Sequence, residues 1–205
     1  MNGYMKPQDI EKRSFEIITA ELGERTFPAG IAEVVKRVIH TTADFDYADS
    51  LAFSPDVIEK AKAALAAGAT VVTDTNMALS GVSKVTLAKL GGKAVCLMAD
   101  EQVASEAKAR GVTRAVVSME HAAKFEGPLI FAIGNAPTAL VKLYEMIEQG
   151  KIHPELIIGV PVGFVNVVEA KELIMKAGIP YIVARGRKGG SNVAAAICNA
   201  MLYQI

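Results

Sequence analysis

Tryptophan is absent from this 205-residue sequence, aromatic residues make up only 6%, and there are just 2 cysteines and 3 histidines. Few aromatics to stack on bases and a formal net charge of zero both argue against a nucleic-acid platform. Neutrality also means that an anionic ligand must be met by a local basic cluster, since no whole-molecule field draws it in. Cys96 lies in an apolar run and Cys198 in an alanine-rich stretch, with no CxxC and no histidine at ligand spacing. Neither a zinc site nor a disulfide framework is expected. No run reaches the roughly 18 uninterrupted apolar residues of a membrane span, and Met1 to Arg13 carries no apolar leader core, so a cytoplasmic location without membrane partners is expected.

What is present describes a chain that buries much of itself: 51% hydrophobic and 21% charged residues. The length suffices for one sizeable core, in a single domain over 1–205. From about Lys6 to Gly23 the spacing of Ile10, Phe15, Ile17, Ile18 and Leu22 predicts a helix stopped by a glycine. From Pro28 to Ile39, Ile31, Val34, Val35, Val38 and Ile39 line one face of a second, with Pro28 in its first turn. These two form an N-terminal helical arm. Ser54-Pro55-Asp56 opens a further helix that runs to Gly68, by the N-cap and first-turn proline rule. Beyond it, apolar runs of strand length at 70–73, 94–98, 115–118, 129–133, 156–160 and 181–184 alternate with helical patterns at 100–110, 136–149, 167–177 and 191–203. That alternation predicts an α/β fold, a mostly parallel sheet with helices on both faces.

In such a sheet ligands bind beyond the carboxyl ends of the strands, so the residues after each run matter most. Four of these turns are small and polar: Asp74-Thr75-Asn76-Met77, Gly134-Asn135-Ala136-Pro137, Pro161-Val162-Gly163-Phe164 and Arg185-Gly186-Arg187-Lys188-Gly189-Gly190-Ser191-Asn192. In the last, glycines free the backbone to approach a ligand, Ser191 or Asn192 caps the next helix, and Arg185, Arg187 and Lys188 supply charge. It reads as a carboxylate or phosphate site, or as a solvated turn. It is neither GxGxxG nor GxxxxGK[ST], which disfavours a nucleotide. Asn135 reads as a helix cap with a secondary ligand role, and Gly163 as a sharp turn or a close approach to a flat ligand.

His40 ends the second helix in Arg37-Val38-Ile39-His40-Thr41-Thr42, with Asp44 and Asp46 beyond it. The helix C-terminus and the aspartates favour a cation there, and Arg37 opposes one. Two readings stay open: a side chain that caps the helix by bonding a carbonyl, or an acid and base that delivers a proton and takes it back. Ser14, interior to the first helix, is either tolerated or a hydroxyl for a substrate carboxylate. His121 and His153 have no partner evident from spacing. No GxSxG elbow is present, and no metal-ligand constellation accompanies His40.

Five blocks, in order, resemble the precorrin-8X methylmutase family of corrin-ring biosynthesis: Lys12-Arg13-Ser14-Phe15, Arg37-Val38-Ile39-His40-Thr41-Thr42-Ala43-Asp44, Gly134-Asn135-Ala136-Pro137-Thr138-Ala139-Leu140, Gly159-Val160-Pro161-Val162-Gly163-Phe164-Val165 and Arg185-Gly186-Arg187-Lys188-Gly189-Gly190-Ser191. The resemblance spans nearly the whole chain. It implies an isomerase that moves the methyl on C-11 of the precorrin-8 macrocycle to C-12 by a [1,5]-sigmatropic shift, without a cofactor. His40 matches the family's proton donor and acceptor.

The substrate's acetate and propionate carboxylates then match Arg185, Arg187, Lys188, Arg37 and Arg13, with Ser14, Lys84 and Ser191 beside them. Gly134, Gly163 and Gly186 would floor a wide cleft for the tetrapyrrole, with Asn135 as a further binding residue. The family also implies a homodimer. Val57 to Leu65 and Val193 to Leu202 are either its two-fold surface or buried within one subunit. The run after His40 looks more like the cobalt-precorrin-8 branch. A non-catalytic corrinoid carrier, or an unrelated enzyme of a phosphorylated metabolite, remain the alternatives.

Overall fold

The computed structural model describes residues 6–205. Six strands form one sheet: β1 (Leu51–Phe53), β2 (Thr70–Thr73), β3 (Lys93–Cys96), β4 (Leu129–Ile133), β5 (Leu156–Gly159) and β6 (Tyr181–Ala184), in the order β1-β6-β5-β4-β2-β3. All neighbours are parallel except β1 against β6, where Leu51 pairs with Ala184 and Phe53 with Ile182. This antiparallel edge strand was not foreseen, because three residues carry too little pattern to be seen in a sequence.

The strands β2, β4 and β5 are buried along their whole length, so their side chains divide between two cores. Ile130, Ala132, Leu156 and Ile158 face a layer made of α2 (Ile31–Thr42), α4 (Val57–Ala66), α5 (Asn76–Gly81) and α11 (Ser191–Leu202). Phe131, Ile133 and Ile157 face α8 (Arg114–Ala122), α9 (Pro137–Glu148) and α10 (Val167–Ile174). Helices on both faces follow, as the alternation predicts. The remaining helices are α1 (Pro7–Leu22), α3 (Tyr47–Ser50), α6 (Lys84–Lys89) and α7 (Glu101–Arg110).

Two expectations need correction, and one pair of open readings is decided. Residues 115–118 are helix rather than strand: Thr113 caps α8 through Val116 N–H, and Ala115, Met119 and Ala122 point into the core at helical spacing. A four-residue apolar run cannot by itself separate the two. Ser54 does not cap α4 but accepts a hydrogen bond from Tyr181 N–H at 2.9 Å, and Asp56 at φ 56° occupies the N-cap position instead. The segments offered as a two-fold surface are interior to the chain: Val57, Ile58, Ala61 and Leu65 of α4 and Val193 to Cys198 of α11 all sit in the first core.

The N-terminal arm is α1, which rests on α2 through Ile18 and Leu22. The second helix is rooted in the body, with Val34, Val35, Val38 and Ile39 packed in the core that also holds α11. Gly30, at φ 81°, is the N-cap of α2, which starts three residues later than Pro28 suggests, and among the described residues a Cβ there would lie 2.6 Å from Ile58 Cγ2.

Candidate active site

Burial of one face of α2 brings Arg37, His40 and Thr41 to its outer side. The last turn of that helix closes without His40. Thr41 Oγ1 donates to Arg37 O at 2.9 Å, Thr42 Oγ1 to Val38 O at 2.8 Å and Ala43 N–H to Ile39 O at 2.7 Å. The capping reading of His40 therefore gives way. Its Nδ1 lies 2.8 Å from Ser14 Oγ, and its ring stacks on Phe15 with centroids 5.1 Å apart and planes 20° from parallel. The imidazole is held by α1 on one nitrogen and one face and is otherwise exposed.

Arg37 continues the same stack. Its guanidinium sits 4.7 Å from the Phe15 ring centroid and 5.3 Å from that of Tyr203, and it donates to Glu11 at 2.6 Å. A cleft of about 320 Å³ opens here between α1, α2 and the end of α11, with Phe15, Lys36, Arg37 and Tyr203 among its walls. Arg13, next to Ser14, points along α1 to Glu16 at 3.0 Å and stays on the surface.

The reversal of strand order lies between β2 and β4, where a ligand crevice is expected. Asp74 fills it. Its buried carboxylate accepts Gly134 N–H at 2.8 Å, Asn135 N–H at 2.8 Å and Ala136 N–H at 2.6 Å, the donors a bound anion would use. Burial holds the Asp74 carboxyl above its ordinary value, and these three donors offset that only in part. Asn135 is exposed and is not the cap of α9, whose N-cap is Ala136 with Pro137 in the first turn. Thr75 caps α5 and meets Ser191 Oγ at 2.7 Å, so Ser191 is buried and engaged across the crevice.

The turn after β6 differs from its sequence reading in charge. Arg185 is paired twice with Glu172, at 2.9 Å each, and Lys188 donates to both Asp44 and Asp46 at 2.6 Å. These partners hold the Asp44 and Glu172 carboxyls below the ordinary carboxylate range and raise Lys188 and Arg185. The aspartates expected to act on His40 instead tie the end of α2 to this turn. Of the three cations only Arg187 has no carboxylate partner among the described residues, and it lies 5.4 Å over the Phe164 ring. Phe164 is 81% and Val165 77% exposed, an apolar flap beside Gly163, whose N–H donates to Arg187 O at 3.1 Å.

The structure thus assembles Ser14, Phe15, Arg37 and His40 from α1 and α2, and ties the end of α2 to a rim carrying Gly163, Gly186, Arg187 and Lys188. Lys84 stands apart on α6, whose start is fixed by Asn199 through Ser83 N–H at 2.8 Å. Asn199 is about 12 Å along α11 from Ser191. Sequence reasoning missed Asp74 as the occupant of the crevice and Lys171 beneath the turn. The one available signal was a lysine in the apolar stripe Val167, Ala170, Lys171, Ile174.

A model of the precorrin-8X methylmutase family matches residues 9–204. The chain belongs to that family. It is 45% identical to the cobalt-precorrin-8 methylmutase of Priestia megaterium over 197 residues, covering 96% of this chain and 88% of the relative. It is 44% identical to the cobalt-precorrin-8 methylmutase of Salmonella typhimurium, covering 100% and 99%. Among solved structures, the precorrin-8X methylmutase of Thermus thermophilus superposes with a TM-score of 0.87 at 38% identity, covering 95% of this chain and 96% of the other. In this methylmutase the contacts of His40 join the first two of the five sequence blocks, and the Asp44–Lys188 pair ties the second to the fifth.

Proposed function

We propose that this chain, as a single methylmutase domain, moves the methyl group on C-11 of cobalt-precorrin-8 to C-12, giving cobyrinate, with His40 as the acid and base. Family membership makes it an isomerase of cobalamin biosynthesis. The names of the two relatives above support the cobalt-loaded substrate. The shift is intramolecular, so it calls for a held conformation and one well-placed proton, not a nucleophile or an activated water. One observation carries the role of His40: its ring is withdrawn from the carbonyls of its own helix and is fixed by Ser14 and Phe15, while the opposite edge stays exposed. That edge is free to protonate the conjugated ring system near the migrating methyl and to recover the proton afterwards.

Arg187, with the backbone of its turn, is the candidate for the substrate's carboxylates, since Arg37 in the cleft is already paired with Glu11. The exposed Phe164 and Val165 offer apolar surface to the macrocycle. Neutralised Arg185 and Lys188 weigh against a phosphorylated metabolite, which would draw on all three cations. We assign the enzyme to the cytoplasm as a homodimer. Among the described residues no helix is long and apolar enough to cross a membrane. The dimer is supported by Ile10 and Ile17, 54% and 44% exposed and seven residues apart on one face of α1.

Single-turnover absorbance with cobalt-precorrin-8 tests the assignment. Wild type should convert substrate to the fully conjugated corrin, and His40→Ala should bind it while losing about 10²-fold to 10⁴-fold in rate. Binding without conversion by wild type would make the protein a carrier.

A further inference from the structure

Lys171 is fully buried, and among the described residues its partners are carbonyls rather than a carboxylate. Its Nζ donates to Gly186 O and to Lys188 O, both at 2.8 Å. The intervening carbonyl, Arg187 O, is taken by Gly163 N–H, and the turn is anchored at its ends by Arg185 N–H to Ser50 O and Gly190 N–H to Val160 O, each 2.8 Å. Three successive carbonyls are thereby committed to donors from the protein body. No cis peptide occurs among the described residues, and in a planar trans peptide the N–H points opposite to the C=O. The N–H groups of Arg187 and Gly189 accordingly face away from Lys171, and neither has an acceptor among the described residues.

We propose that Lys171 is a positioning residue for substrate: by drawing the carbonyls of Gly186 and Lys188 inward, it turns the Arg187 and Gly189 N–H groups outward, beside the Arg187 guanidinium, to receive a carboxylate of the macrocycle. This rests on the reading of the turn as a carboxylate subsite. It also accounts for a lysine where Val167, Ala170 and Ile174 occupy the rest of the stripe. An apolar residue would strand two inward carbonyls, and relaxing them to solvent would rotate the N–H groups away from the ligand. Burying an ammonium is costly, and that burial lowers the Lys171 pKa to about 8. The cost is tolerated because no neutral aliphatic side chain supplies two donors to those carbonyls.

Two measurements test this. In the wild-type enzyme, amide hydrogen exchange at residues 186–189 is followed by NMR with and without the cobyrinate product. Product should slow exchange at Arg187 and Gly189. In steady-state kinetics Lys171→Met should raise KM for cobalt-precorrin-8 about tenfold or more while kcat stays within about twofold, because the carboxylate contact is remote from the migrating methyl. Unchanged exchange at those two amides in product-saturated wild type would overturn the proposal, even if the variant did not fold. So would a folded Lys171→Met with wild-type KM and only a lower melting temperature. A wild type that binds product with the predicted protection but never turns over substrate would defeat the mutase assignment and leave the role of Lys171 intact.

Discussion

His40 projects from a helix end where Thr41, Thr42 and Ala43 bond the carbonyls of Arg37, Val38 and Ile39, while its own ring turns to Ser14 and is available for chemistry. What orients it is one hydroxyl, Ser14 Oγ, together with the stacked ring of Phe15. Removing that hydroxyl in Ser14→Ala should leave substrate KM near wild type and lower kcat about tenfold, the loss of one hydrogen bond's worth of alignment. Steady-state rates on cobalt-precorrin-8 give the answer directly. The importance of Ser14 was only half legible in the sequence, because 26 residues separate it from His40 and nothing local indicates that α1 crosses α2 at that level. Asp74 was even less legible. An aspartate after a strand has many uses, and only the packed sheet shows that it takes three N–H groups from the loop after β4.

Between elements, the Asp44–Lys188–Asp46 triad joins the end of α2 to the turn after β6, across 144 and 142 residues of sequence. The sign of its pH dependence follows from Asp44, whose carboxyl is depressed chiefly by the hydrogen bond from Lys188. A depressed carboxyl contributes its stability above its unfolded value, and that contribution is lost as pH falls through the folded value. Protection of the amides of residues 43–46, measured against their intrinsic exchange rates, should therefore be held by this tie between pH 7 and pH 5 and should fall below about pH 4. The same turn shows how little room the crevice has. A Cβ on Gly134 would lie 2.7 Å from Ser191 Cα, which belongs to backbone and cannot swing aside. Gly134→Ala should cost about 1–3 kcal/mol in denaturant unfolding by forcing α11 away from β4.

Over the whole molecule, two pairs among the exposed apolar residues bear on function. Phe164 and Val165 flank the cation that faces the proposed substrate, and Ile10 and Ile17 lie on the arm. If the arm forms the two-fold contact, the double substitution Ile10→Glu with Ile17→Glu should convert a dimer to a monomer in sedimentation velocity, with the melting temperature of the body little changed. The interior of α4 and α11 offers no such surface, since both helices are consumed by the chain's own core.

Periodicity and punctuation determined much of this protein by themselves. Runs of strand length placed β2 through β6 to within a few residues, and the apolar stripe of α2 put His40 at a surface position near a helix end. Those features are local: they depend on which side chains can be buried together every two or every 3.6 residues. The strand order, the crossing of α1 over α2, the filling of the switch-point crevice by Asp74 and the neutralisation of Arg185 and Lys188 were decided only by tertiary structure. Each depends on a contact between residues distant in the chain, and formal charge in a sequence carries no record of which opposite charge will fold beside it.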